Sequence, residues 1–179
     1  MTTWISSKSL RDFAEIKKLF QANSGDRSYG ENLSVRDHML QTASILRQAA
    51  APDAWVIAGL LHDIGWQLGG ESHEEAGARF SYTYFGAKVA EPIRLHVNAK
   101  RWLVANEAGY EASLSTTSRA TLALQGGAFN QVESQSFAAH PYFDAAICLR
   151  RADDQAKVIG LQSPGFDTYR ETLLKAMVT

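Results

Sequence analysis

Histidine and aspartate are the residue types in this chain best suited to do chemistry together, and they are unevenly placed. The histidines are His38, His62, His73, His96 and His140, and His62 runs directly into Asp63 within Ala58-Gly59-Leu60-Leu61-His62-Asp63-Ile64-Gly65. An imidazole and a carboxylate at the end of an otherwise apolar helix are costly to bury unless something satisfies them. A divalent metal would do so, taking nitrogen from one and oxygen from the other. A His–Asp pair hydrogen-bonded to backbone at a helix end is the competing reading. Gly65 lets the chain turn away directly after the pair. His38, His73 and His96 fall on three further helical stretches, and Asp153 and Asp154 follow Arg150 and Arg151 late in the chain. A site in a helical bundle collects side chains contributed singly by different helices, and this distribution permits one. His140, next to Pro141, matches no ligand spacing and reads as a residue at a helix start. Cys148, between apolar neighbours, reads as core rather than nucleophile.

The elements that must position these residues are helical almost throughout. Leu10, Phe13, Ile16, Leu19 and Phe20 recur at three and four, with Lys17 and Lys18 off that stripe. Ser24-Gly25-Asp26-Arg27-Ser28 breaks the pattern. Ser34 with Asp37 three residues on reads as a capping-box start, with Asp in place of Glu, for a helix running to about Ala50. Pro52 suits a first helical position, ahead of an apolar run from Trp55 to Leu61 that predicts a helix buried on most sides. Gly69-Gly70 ends that segment. His73 to about Phe85 is the next helix, closed by Gly86. Ala87 to Val104 is helical, with Pro92 either opening a fresh helix or kinking one. Ser118 to Leu124 is helical and stops at Gly126-Gly127. Pro141 opens the longest late helix, ending near Gly160, and Tyr169 to Met177 is a last short one. No period-two alternation, internal repeat or low-complexity stretch occurs. The expected fold is all-α, a single domain over 1–179 of roughly seven or eight helices.

Composition narrows the function classes. The chain has 179 residues, 45% hydrophobic and 21% charged, which suits one domain with a real core. Lys plus Arg number 18 against 19 Asp plus Glu, so the chain lacks the cationic excess of a strongly basic nucleic-acid binder. A single cysteine forms no internal disulfide. The polar start shows no apolar signal-peptide core, and no run of about 18 apolar residues spans a membrane. A soluble cytoplasmic globular domain without nucleic-acid or membrane partners is the expectation.

The order of a single His, then His-Asp, then two further His and a distant Asp resembles the HD-domain superfamily of metal-dependent phosphohydrolases, from about Tyr29 to Lys157. Leu60-Leu61-His62-Asp63-Ile64-Gly65 is the most specific stretch. Within that superfamily, Gly30-Glu31, Ser34, His38, His73-Glu74-Glu75-Ala76-Gly77-Ala78, Leu95-His96-Val97-Asn98-Ala99-Lys100-Arg101 and Leu124-Gln125-Gly126-Gly127 resemble the phosphonate-degrading HD-domain oxygenases. These are di-iron proteins related in mechanism to myo-inositol oxygenase. The resemblance implies that His38, His62, Asp63 and Asp153 hold one iron, and that Asp63 bridges to a second held also by His73 and His96. One carboxylate has two oxygens and can offset the repulsion between two nearby cations.

The resemblance also implies an anionic substrate. Lys100, four residues after His96, shares its helix face, as Arg150 does with Asp153 three residues on. Both would reach a phosphonate dianion, and Ser118 falls where the oxygenases carry a substrate-contacting Ser. Solvated helix faces are the alternative for both cations. Tyr29 and Glu31 would join the catalytic set, although the oxygenases carry their lid Tyr three residues before the Glu, where Ser28 stands here. Trp66 replaces a substrate-contacting His; it has only an indole N–H to donate, and would shape a bulkier pocket end or stack on a quaternary ammonium. The implied reaction uses O2 and an Fe(II)/Fe(III) pair to break a C–P bond and release phosphate. A phosphohydrolase acting on a nucleotide or phosphate monoester is the alternative. Mn, Ni or Zn would accept the same donors and activate a water there. A catalytically silent metal-binding module is a third reading, and would require a degraded ligand set.

Overall fold

The computed structural model describes residues 6–22, 33–69 and 72–178. Among these the regular structure is helical, as expected, but with more pieces than the sequence pattern suggested: α1 Ser7–Phe20, α2 Val35–Gln48, α3 Asp53–Leu61, α4 His73–Phe85, α5 Ala87–Asn106, α6 Tyr110–Ser113, α7 Thr116–Leu124, α8 Gln131–Ala138, α9 Phe143–Gln155 and α10 Arg170–Ala176. Short 3-10 helices cover Ile64–Gln67 and Phe166–Tyr169. No helix among the described residues is long and apolar enough to cross a membrane.

Local rules account for most boundaries. Ser34 caps α2 by accepting from the Asp37 amide, and its hydroxyl also donates to the Asp37 carboxylate at 2.8 Å. Ala50 (φ 52°) ends α2 in a left-handed turn, with the Ala51 amide reaching back to Leu46 O. Gly more often supplies that conformation. Pro52 sits one residue outside α3, at its N-cap, rather than on its first residue.

Three expectations are corrected. Pro92 opens no fresh helix, because α5 runs through it from Ala87. Gly86 (φ 68°) both ends α4 and precedes α5, so the second helix must start early for Val89, Ala90 and Ile93 to reach the core. The late helix starts at Phe143 and stops at Gln155, short of Gly160. Two side chains of α2 capture the backbone there: His38 Nδ1 donates to Ala156 O (2.8 Å), and Gln41 binds both N–H and C=O of Val158. Finally, α6 and α8 are additional. α8 has little apolar periodicity, with Phe137 buried and Val132 exposed, but it carries a full capping box between Asn130 and Glu133.

The core gathers around α3, whose residues Val56 to Leu61 are all buried. The apolar faces of α2, α4, α5, α9 and α10 close on it, with Phe166 packed on Phe13 and Phe20 at ring separations of 5.7 and 4.6 Å. Two smaller clusters, around Leu95 and Phe137 and around Leu103 and Tyr110, extend the core toward α6 and α8. Cys148 is half-buried against the main core.

Candidate metal centre

The end of α3 brings the chemistry to the middle of the bundle. His62 is the C-cap, and Asp63 follows with φ −105° and ψ 7°, a conformation that turns the chain out of the helix. Two residues after Asp63 the chain must carry glycine: a Cβ at Gly65 would lie 1.9 Å from the carbonyl oxygen of His73. That close approach seats the first turn of α4 on the His-Asp corner and puts His73 beside Asp63. His38 comes from α2, His96 from α5 and Asp153 from α9. All six side chains are buried.

They form two triads of mutually close donor atoms, His38–His62–Asp63 and Asp63–His73–His96. Asp63 faces both, with Oδ2 3.5 Å from His62 Nε2 and Oδ1 3.3 Å from His73 Nε2. Asp153 Oδ1 joins the first triad at 3.1 Å from His38 Nε2. His140 lies apart, its Nδ1 accepting from the Tyr142 amide, as its spacing suggested.

The imidazole tautomers follow from their partners. Nδ1 of His38, His62 and His96 meets backbone oxygen of Ala156, Gly59 and Ile93 at 2.8, 2.9 and 2.6 Å. Nδ1 of His73 faces Glu74 Oε2 at 3.1 Å. A carbonyl or carboxylate oxygen only accepts, so each Nδ1 carries a hydrogen, and a ring with a single N–H then turns its lone pair inward at Nε2. Those lone pairs meet: His38 and His62 Nε2 are 3.2 Å apart, and His73 and His96 Nε2 are 3.1 Å apart. Both oxygens of Asp63 and Oδ1 of Asp153 are buried without a hydrogen-bond partner. Converging lone pairs and orphaned carboxylate oxygens repel one another unless a cation lies between them, so the donors fit a pair of metal ions.

Electrostatics agree for both aspartates and His96, whereas Asp153 and Asp63 raise His38 against its burial. Burial pushes the Asp63 carboxyl up, but His62, His73, His38 and His96 together hold it well below the usual carboxylate range. Asp153 is likewise held low against burial, by Arg150, Lys157 and His38. Burial, then the neighbouring His73 and His62, drives His96 down to about 3, which keeps its Nε2 unprotonated.

A cavity of about 240 Å³ opens beside the second triad, lined by His73 and His96 on the metal side. Lys100, Ser118, Thr121 and Arg150 are the linked polar residues of its lining, and Val35, Val97 and Trp66 add apolar surface. Lys100 Nζ donates to Ser118 O (3.1 Å) and Thr121 Oγ1 (2.9 Å); burial, then Arg150, pushes it down to about 8. Trp66 is 43% exposed and stacks on His73 at 4.5 Å with 9° between planes. The residues expected from sequence at the metal and substrate positions thus converge, except Tyr29 and Glu31, which lie outside the described residues.

Three more polar residues belong here that the sequence reading did not single out. Lys157 donates to Ser118 Oγ at 2.7 Å and lies 3.5 Å from Asp153 Oδ1. Its place four residues after Asp153 was the available signal. Gln125 lines the cavity with a buried, unpartnered Oε1 and falls inside the Leu124–Gly127 motif. Tyr110 reaches Asp154 from α6, a helix with no sequence signature.

Helices presenting histidines and aspartates to one buried cluster define an all-α protein with a site suited to metal. The HD-domain profile matches residues 35–154, and the chain belongs to that family. The hydroxymethylphosphonate dioxygenase of Gimesia maris is 38% identical over 168 residues, 86% of this chain and 84% of that one. The glycine-betaine-forming [1-hydroxy-2-(trimethylamino)ethyl]phosphonate dioxygenase of Leisingera caerulea is 34% identical over 154 residues, 79% of each chain. An uncharacterised protein of Acanthamoeba polyphaga mimivirus is 29% identical over 173 residues, 89% of this chain and 79% of that one.

Proposed function

We propose that this protein is a mixed-valent di-iron oxygenase that cleaves the C–P bond of a hydroxylated organophosphonate and releases phosphate. The observation that carries the reading is Asp63, shared by two buried donor triads beside a cavity with a cationic end. A His, His-Asp and Asp set alone would suffice for a one-metal hydrolase; His73 and His96 complete a second position. The relatives named as phosphonate dioxygenases support the substrate class.

In this reading His38, His62, Asp63 and Asp153 hold one iron, and Asp63, His73 and His96 the other. Bound iron supplies one-electron chemistry and O2 activation, for which an imidazole and carboxylate set without thiolate is well suited. The chain's own residues do the rest. Lys100, with Ser118 beside it, marks the side of the cavity that receives the anion. Trp66 limits the other end, where the carbon substituent sits. The overall reaction balances as R–CH(OH)–PO3²⁻ plus O2 giving R–COOH and HPO4²⁻: the C–P bond breaks, carbon is oxidised by four electrons, and each product gains one oxygen atom.

Metal analysis and low-temperature electron paramagnetic resonance test this on protein made in iron-supplemented medium. The expected result is two irons per chain, a mixed-valent signal, and one ¹⁸O in the phosphate formed under ¹⁸O2. One metal per chain, with phosphate released from monoesters in the absence of O2, would overturn it in favour of the phosphohydrolase.

A further inference from the structure

We propose that Tyr110 and Asp154 form a clamp holding Arg150 against Asp153, so that Arg150 is a positioning residue for that carboxylate rather than the anchor of the substrate's anion. The proposal rests on the two-metal reading above. A guanidinium has five N–H donors in a rigid fork and no acceptor. Here four of the five are engaged by protein, and the second hydrogen of Nη1 is the one without a partner among the described residues. Nη1 pairs with Asp153 Oδ2 at 2.6 Å, while Nη2 pairs with Asp154 Oδ1 and reaches Ser118 Oγ at 3.4 Å. Nε donates to Asp154 Oδ2 at 3.1 Å and lies 3.3 Å from the Tyr110 hydroxyl. Tyr110 closes the ring by donating its phenolic hydrogen to the same Asp154 oxygen. One cation between two carboxylates has little charge left for a third anion.

The consequence falls on Asp153. Arg150 occupies Oδ2, so Oδ1 is the oxygen that turns to His38 Nε2 at 3.1 Å, buried and without a hydrogen-bond partner. The fork therefore selects which oxygen faces the first donor triad and fixes its direction. Arg150 Nη1 cannot leave for a substrate without releasing that carboxylate. Lys100 is the contrast, because its two acceptors are uncharged and it forms no ion pair among the described residues. Its charge remains available to an incoming anion. The clamp also gives α6 a task. The chain enters this four-residue helix through Gly109 at φ 83°, and Tyr110 is its buried residue, aimed at α9.

The test uses the full-length chain loaded with cobalt(II) and titrated with a competing chelator, with both ions followed by their visible absorption. In Tyr110→Phe and Asp154→Asn, one cobalt ion is expected to bind about ten- to a hundredfold more weakly while the other is unchanged. Asp153→Asn should weaken that same ion, and adding Asp154→Asn to it should cost nothing more, because both act through one contact. Lys100→Gln should leave both ions as they were. Circular dichroism melts establish that each variant is folded, and Tyr110→Phe, which removes one hydroxyl, is the milder change should Asp154→Asn fail to fold. Unchanged affinity for both ions in Tyr110→Phe and Asp154→Asn, with only KM raised, would overturn the clamp and return Arg150 to the substrate. Equal weakening of both ions would overturn it too, as a general structural effect. An unaltered chain that takes up fewer than two cobalt ions refutes the two-metal reading itself, and the clamp falls with it.

Discussion

Asp63 stands where four imidazoles converge, and each of its oxygens faces a different pair of them. Asp63→Ala should take metal content from two ions per chain to none, measured by mass spectrometry, while His96→Ala should spare one. Lys100 is a buried cation titrating near pH 8, charged below that pH and neutral above it. Its attraction for a dianion is therefore present on the acid side and lost as pH rises. The kcat/KM of the unaltered chain should fall above about pH 8, and Lys100→Arg, which stays charged, should remove that limb. A charge-assisted hydrogen bond contributes about 1.5–3 kcal/mol, so Lys100→Ala should raise KM roughly 10- to 100-fold with little change in melting temperature. Trp66 has one face on His73 and also borders the cavity. Trp66→His should shift the kcat/KM ratio toward hydroxyphosphonates with small amino substituents, and an unchanged ratio would place residue 66 away from the substrate. His-Asp and histidines on separate helical stretches made a site legible in the sequence, while Lys100 and Trp66 were marked only by the resemblance to the phosphonate-degrading oxygenases. Tyr110, Asp154 and Lys157 are ordinary surface types, and only their neighbours in space distinguish them.

At the scale of elements, the His-Asp corner depends on backbone contact more than on side chains. Gly65 and Gly77 let the 3-10 turn and α4 approach closely: a Cβ at Gly77 would sit 3.3 Å from Gly65 N, but at Gly65 it would overlap the His73 carbonyl. Backbone has no rotamer with which to yield. Gly65→Ala should therefore cost roughly 3 kcal/mol, about 6–12 °C of Tm for a chain of this size, and lower metal occupancy through His73. Differential scanning calorimetry and metal analysis would check both. α2, opened by the Ser34 cap, and α4, closed by Gly86, were readable as they stand. The end of α9 was not, since Ala156 and Val158 are held by His38 and Gln41 from a distant helix. No periodicity in the late segment encodes that capture.

At the scale of the whole molecule, the metal centre sits among five elements, so ions bound there tie α2, the α3 corner, α4, α5 and α9 together. Ligands that bind only the folded chain stabilise it by mass action, about 4 kcal/mol at a thousandfold excess over Kd. Chelating the metal should lower Tm by roughly 8–16 °C, and the loss should shrink as pH falls, because ligating imidazoles must be neutral. Equal melting curves with and without chelator would deny the centre a structural role. By itself, the sequence determined the helical class and most helix starts, since capping and periodicity act over a few residues, and its resemblance to a family pattern marked the candidate metal donors. Only the tertiary structure decided that four Nε2 atoms face inward, that Asp63 lies between two triads, and that Arg150 is tied to two aspartates. Those outcomes depend on where side chains far apart in the chain meet, and on which polar atoms burial leaves without water. Local pattern carries no information on either.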